Sequence, residues 1–241
     1  MQPRAVVVGA SLAGLRTAEA LRRAGHDGPL AIVGAESHPP YDRPPLSKQI
    51  LTGKAEPDDL VLTIEDGFEA DWHLGTRAVG LDLGRRRVRL ESGEDRPFER
   101  LVIATGAHPR LLPGAEPGKG VHYLRTVDDA LALRADLATA GRAVVIGAGF
   151  IGLEVAASAH QLGVGVTVVE ALPVPLERAI GPEMGAVVAA MQRRHGVAVE
   201  VGVGFDGLVG SDRVEGVRLT DGRVIPADVV VVGVGVAPST G

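Results

Sequence analysis

Ala143-Val144-Val145-Ile146-Gly147-Ala148-Gly149-Phe150-Ile151-Gly152 repeats a pattern already present near the start of the chain, Ala5-Val6-Val7-Val8-Gly9-Ala10-Ser11-Leu12-Ala13-Gly14. The offset is 138 positions, 143 less 5. Each copy begins with a short continuous apolar run, the pattern of a strand buried on both faces of a parallel sheet. Each then enters a stretch of helical character, Leu12 to Ala24 before Gly25 and Phe150 to Leu162 before Gly163. Glycine just past the last turn suits a left-handed cap. A second apolar strand follows in both copies: Leu30 to Val33 leading to Glu36, and Val166 to Val169 ending at Glu170. The pattern is β-α-β twice, each time with a glycine turn and a later acid.

The chemistry of such a turn is phosphate cradling. The first glycine permits the tight turn, the second position must be small so that backbone approaches a pyrophosphate, and the third lets helix and strand pack closely. The helix N-terminus adds free N–H groups and partial positive charge. Glu36 and Glu170 follow their loops by about 20 residues, where a carboxylate can accept hydrogen bonds from a ribose hydroxyl. One such loop is weak evidence and often only a tight turn; two, each between strand and helix and each with its acid, are strong. Ser11 replaces the middle glycine of the first copy but is small enough for close approach. Two dinucleotide sites suit FAD and a nicotinamide cofactor, because hydride passes from nicotinamide to flavin. Glu170 disfavours a 2′-phosphate, so NADH is expected over NADPH. Arg178 leaves NADPH open, although a solvated loop arginine is its plainer role.

After each β-α-β unit come short alternating strands with glycine-containing turns. They are expected near 78–82, 87–90 and 99–104 in the first half, and near 205–209, 214–220 and 228–234 in the second. The fold class is therefore α/β, with two Rossmann-like βαβ domains, each carrying a small antiparallel meander. His108 to Gly120, rich in proline and glycine, reads as an interdomain linker. The expected domains are 1–112 and 113–241. A helix is expected from Thr126, whose hydroxyl can cap the amides around Asp128 and Asp129.

Composition narrows the function. Hydrophobic residues make up 45% and charged residues 23% of the chain, which is enough to bury a core. The net charge of -5 and a 3% aromatic content argue against a nucleic-acid partner. There is no cysteine, which removes disulfides, thiolate catalysis and cysteine-held metal clusters. The histidines do not stand at metal-ligand spacing, so no metal site is expected. No apolar run is long enough for a membrane span, and no signal peptide is visible in Met1-Gln2-Pro3-Arg4, so a cytoplasmic protein is expected.

Several stretches together carry a family resemblance: Val6 through Gly14, Pro40-Tyr41-Asp42-Arg43-Pro44-Pro45-Leu46-Ser47-Lys48, Leu101-Val102-Ile103-Ala104-Thr105-Gly106, Tyr123-Leu124-Arg125-Thr126, and Gly147 through Glu154. The chain resembles the FAD-dependent pyridine-nucleotide oxidoreductases, specifically the NADH-dependent ferredoxin and rubredoxin reductases of oxygenase systems. The likeness covers essentially the whole chain, and Pro-Pro-Leu-Ser-Lys is its most discriminating segment. Disulfide-reductase relatives carry a redox cysteine pair in that region; here a thiol relay is excluded by the absence of cysteine.

The resemblance implies roles. Gly9, Ser11, Ala13 and Gly14 would line the FAD pyrophosphate, and Glu36 would bind the adenosine ribose without the second acid that relatives place at Ala35. Arg43 and Lys48 would approach pyrophosphate and isoalloxazine, and Ala78 would meet the adenine end through its backbone. Thr105 and Gly106 would close against FAD, with Arg125 reaching it from the next segment. Gly147, Gly149, Gly152 and Glu170 would hold NADH. Lys48 and Glu154 would pair beside flavin N5 as the catalytic side chains. A buried acid in an apolar helix is costly unpaired, and an ammonium there would stabilise reduced flavin. Read singly, Glu154 would only complement the helix dipole from the first turn, and Lys48 would be solvated.

The implied function is hydride transfer from NADH to FAD, then release of single electrons to a ferredoxin or rubredoxin. The alternatives are a non-catalytic nucleotide-binding module and an NADH diaphorase or oxidase using quinone or oxygen. Relatives continue past the position of Gly241, returning to the FAD domain and adding a C-terminal interface domain; here that domain is expected to be absent, and oligomeric state is left open. The arginines at 85, 86, 87 and 89 offer an acidic partner a docking point, though a solvated hairpin is the preferred reading.

Overall fold

The computed structural model describes residues 3–240. Met1, Gln2 and Gly241, and the readings of the chain's start and last residue that rest on them, lie outside the described residues. Contacts divide the chain into two compact units. The first takes the residues up to Asp42, Asp58–Ala107 and those from Pro238. The second takes Arg43–Pro57 and His108–Ala237.

In the first unit, β1 (Ala5–Val8), α1 (Leu12–Arg23) and β2 (Leu30–Val33) form the expected β-α-β. They are followed by β3 (Asp71–His73), β4 (Ala78–Asp82), β5 (Arg87–Leu90), β6 (Asp95–Pro97) and β7 (Arg100–Ile103). The parallel sheet runs β3-β2-β1-β7, and β4-β5-β6 is the antiparallel meander. Every residue of β1 and β2 is buried, and the alternation of side chains explains why. Ala5, Val7, Leu30 and Ile32 pack with Ala18 of α1. Val6, Val8, Ala31 and Val33 pack with Val88, Leu90 and Phe98 of the meander segment. Successive residues face opposite sides of a strand, so a sheet covered on both sides needs an unbroken apolar run.

The second unit repeats this plan. After β8 (Ala107–Pro109) come β9 (Val121–Tyr123), α2 (Val127–Leu137), β10 (Arg142–Ile146), α3 (Phe150–Gln161), β11 (Gly165–Glu170) and α4 (Glu177–Arg194). Then follow β12 (Ala198–Val201), β13 (Phe205–Val209), β14 (Gly216–Leu219), β15 (Val224–Pro226), β16 (Val229–Val232) and β17 (Val236–Pro238). The parallel sheet runs β12-β11-β10-β16-β9, with β13-β14-β15 as the meander. Val144, Ile146, Val169, Val230 and Val232 meet Val217 and Leu219 of the meander.

Four expectations need correction. The third meander strands are the three-residue β6 and β15; the stretches 99–104 and 228–234 instead supply β7 and β16, which pair in parallel with β1 and β10. Second, the chain does not divide cleanly at 112 and 113. Residues 43–57 group with the second unit because Leu46, Ile50 and Leu51 are buried and Arg134 grips Glu56 through its two terminal guanidinium nitrogens at 3.0 and 3.1 Å. The residues from Pro238 return to the first unit, where the Ser239 N–H donates to the Gly106 carbonyl at 2.9 Å. Third, 108–120 is packed structure as well as connection: Ala115 is fully buried, and the Tyr123 hydroxyl donates to its carbonyl at 3.0 Å. Fourth, Glu154 lies beyond the first turn of α3. The cap at Thr126 forms as expected, its hydroxyl accepting from the Asp129 N–H while the Asp129 carboxylate accepts from the Thr126 N–H.

Candidate nucleotide-binding and charge-pair sites

The two glycine loops are built alike. Gly9 and Gly147 have φ of +120° and +98°, a region open to glycine and closed to most side chains. Their N–H groups donate to the last carbonyl of a neighbouring strand or its equivalent, Val33 at 2.7 Å and Val169 at 2.8 Å. A Cβ on Gly9 would stand 2.0 Å from the Ala104 carbonyl oxygen, and one on Gly147 2.6 Å from that of Gly233. On Gly14 it would stand 1.7 Å from the oxygen of Gly9, and on Gly152 2.2 Å from that of Gly147. The first and third glycines are therefore required by the protein itself.

The middle position differs. Gly149 has φ of -76° and caps α3, and Ser11 caps α1 with φ of -109°; both are extended conformations that any residue adopts. A Cβ on Gly149 would meet nothing nearer than the Gly233 oxygen at 3.8 Å. The protein itself leaves room for a Cβ there, unlike at the first and third positions. Gly149 has no side chain and that of Ser11 makes no cap hydrogen bond, which leaves the first-turn amides to meet an anion. Ala13 lies on the exposed first turn of α1. Both loops thus fit the pyrophosphate of a dinucleotide.

The acids sit differently. Glu170 ends β11, and its carboxylate accepts from the Ala148 N–H of the glycine loop at 2.8 Å and the Leu172 N–H at 2.9 Å. Glu36 lies past the end of β2 and accepts from the Tyr41 hydroxyl. Thr105 and Gly106 follow β7 beside the first loop, the Thr105 hydroxyl donating to the Ser239 carbonyl. Ala78 starts β4, opposite Leu90.

In the second unit, Arg43 donates to the Arg125 carbonyl at 2.6 Å, which brings together two residues 82 positions apart. Lys48 and Glu154 also meet: Nζ lies 2.9 Å from Oε2. The side chains are 41% and 38% exposed, so the pair is partly solvated rather than deeply buried. Lys48 ends the 3₁₀ turn Pro44–Ser47, and Glu154 follows Gly152 by two residues on α3. Sequence reasoning missed Ser47, whose buried hydroxyl donates to the same Oε2 at 2.6 Å. It also missed Ser158, which donates to the Ser47 carbonyl at 2.7 Å, and the role of Tyr41. The signals were faint: Ser47 lies inside the Pro-Pro-Leu-Ser-Lys segment, and Ser158 stands one helical turn after Glu154.

The arginine-rich stretch forms the β4–β5 hairpin, where Arg85 pairs with Asp82 and both Arg87 and Arg89 with Asp95. Among the described residues, no helix is long and apolar enough to cross a membrane.

The family model for pyridine nucleotide-disulphide oxidoreductases matches residues 3–241. The ferredoxin–NAD(+) reductase component of the p-cumate 2,3-dioxygenase system of Pseudomonas putida is 41% identical over 97% of this chain and 58% of its own length. Putidaredoxin reductase of Pseudomonas putida is 38% identical over 97% of this chain and 58% of its own length. The chain therefore spans 58% of the length of both. Among solved structures, the covalent putidaredoxin reductase–putidaredoxin complex aligns with a TM-score of 0.92 at 36% identity, covering 98% of this chain and 59% of that one.

Proposed function

The chain belongs to the pyridine nucleotide-disulphide oxidoreductase family, and on that premise we propose that it is a flavoprotein carrying electrons from NADH to a small iron–sulfur protein. The first unit takes FAD through Gly9, Ser11, Ala13, Gly14, Glu36, Ala78, Thr105 and Gly106. The second takes NADH through Gly147, Gly149, Gly152 and Glu170. The family resemblance implies FAD-binding roles for Arg43 and Arg125 of the second unit, where Lys48 and Glu154 form the functional charge pair.

The observation that carries this reading is the duplicated loop. The middle position of the second loop is open on the protein side, and two helix N-termini lack side-chain caps. A duplicated turn that served only packing would have no use for either feature. FAD, when bound, supplies a hydride acceptor that can return electrons singly. The residues of the chain supply binding, orientation and charge. Glu170 would accept from ribose hydroxyls and repel a 2′-phosphate, and the Lys48 ammonium would favour negative charge on reduced flavin. With no cysteine in the chain, electrons pass to the acceptor without a thiol relay. Ferredoxin-type proteins are the proposed acceptors because the relatives are named as ferredoxin–NAD(+) reductases.

Anaerobic titration with NADH tests the proposal. The protein reconstituted with FAD should be yellow and bleach on stoichiometric NADH, and a ferredoxin should then restore the colour. A chain that takes up no FAD, or whose flavin NADH leaves oxidised, would overturn it.

A further inference from the structure

We infer that Ser47 is a positioning residue for the Lys48–Glu154 pair, an inference that rests on the reading of that pair as functional. The ion pair is partly solvated, and such pairs ordinarily sample several geometries because water competes for both partners. Ser47 is different: it is 4% exposed. Its hydroxyl reaches Glu154 Oε2 at 2.6 Å, and Lys48 Nζ reaches the same oxygen at 2.9 Å. The Pro44 carbonyl, 3.4 Å from the Ser47 hydroxyl, is a far weaker competitor for its proton.

One carboxylate oxygen thus holds two donors, one buried and fixed, one exposed and charged. The fixed donor is itself anchored twice. Its backbone lies in a 3₁₀ turn that opens with two prolines, whose φ is preset. Its carbonyl accepts from the buried Ser158 hydroxyl, on the helix that carries Glu154. The buried hydroxyl removes the rotational freedom of the carboxylate and sets where the neighbouring ammonium rests. Lys48 follows Ser47 directly in the chain, so a single backbone turn places both donors.

Acetylation of the protein with acetic anhydride, read by peptide mass spectrometry, tests this without any cofactor. Lys54, exposed in the same segment, serves as the internal standard. Releasing Lys48 from an exposed ion pair worth about 0.2–1 kcal/mol should raise the Lys48-to-Lys54 labelling ratio by up to roughly fivefold. Ser47→Ala should produce that rise, and Ser47→Thr, which keeps a hydroxyl, should restore the wild-type ratio. Ser158→Ala loosens one of the two anchors of Ser47 but leaves its hydroxyl on the carboxylate, and should raise the ratio less than Ser47→Ala does. In a Glu154→Gln background, Ser47→Ala should add nothing. A wild-type ratio in Ser47→Ala, or an equal rise in Ser158→Ala, would overturn the inference. The flavin potential tests the underlying reading separately: if Lys48→Met leaves it unchanged, the pair does not serve the flavin, whatever the labelling shows.

Discussion

The Cβ that Gly152 lacks would stand 2.2 Å from the carbonyl oxygen of Gly147, the first glycine of the same loop. The helix can begin where it does only because that atom is missing, and Gly14 stands in the same relation to Gly9 at 1.7 Å. The middle residue of the loop bears no such burden, so fold and ligand can be separated by mutation.

Gly152→Ala and Gly149→Ala should part company on that basis. The first forces helix and strand apart and should destabilise the second unit by about 1–3 kcal/mol, the usual range for overpacking. The second should melt within about 0.5 kcal/mol of wild type, as substitutions in open positions do, yet bind NADH more weakly. Thermal melts with NADH titrations check both. In the first unit, Gly14→Val should abolish FAD retention; a folded variant holding stoichiometric FAD would place the flavin elsewhere.

Nucleotide preference should follow Glu170. The carboxylate also holds the Ala148 and Leu172 amides, so Glu170→Ala should weaken NADH binding through lost ribose contacts and a looser loop. Glu170→Ala with Leu172→Arg should shift the NADPH-to-NADH ratio of kcat/KM upward by tenfold or so, about 1.4 kcal/mol. Wild-type turnover of NADPH equal to that of NADH would show that Glu170 does not set the preference.

The charge pair should contribute little to stability. Because Lys48 and Glu154 are partly exposed, their coupling in thermal melts of the Lys48→Met and Glu154→Gln cycle should be about 0.2–1 kcal/mol, below the ~3–5 kcal/mol of a buried pair. Its effect on bound FAD should be clearer. Lys48→Met should lower the flavin potential and slow reduction by NADH in stopped flow, with NADH affinity little changed.

Acid sensitivity should trace partly to Glu19, which is fully buried on α1. Burial alone would raise its carboxyl pKa. The hydrogen bonds from Arg16 and the Glu65 N–H, with the charges of Arg16 and Arg23, outweigh it and leave the pKa below its ordinary value of 4.5. A depressed folded-state pKa stabilises the fold above the unfolded value, and that contribution is lost as pH falls through the folded one. Glu19→Gln should therefore be less stable than wild type at neutral pH, with the gap narrowing below 4.5. Denaturant melts between neutral and acid pH measure it; a gap that does not change with pH would show that the Glu19 charge is immaterial.

Local chemistry made much of this molecule legible. Unbroken apolar runs marked β1, β2 and β10, because a strand covered on both faces has no polar side to show. The glycines of the loops and the Thr126 cap were readable because sterics and capping act within a few residues. The apolar runs 101–103 and 229–232 carried the same parallel-strand signal, but the meander pattern drew them to the wrong sheet. The true third strands, β6 and β15, are three residues long and end in proline, too short to show alternation. Only the tertiary structure joined Ser47 to Glu154, 107 residues away, placed 43–57 with the second unit, and returned 238–240 to the first. It alone revealed the partial solvation of the Lys48–Glu154 pair, which weakens the pair's part in folding. Backbone sterics depend on a few neighbouring residues, whereas a hydrogen bond between distant segments and the water left around it depend on the path of the whole chain.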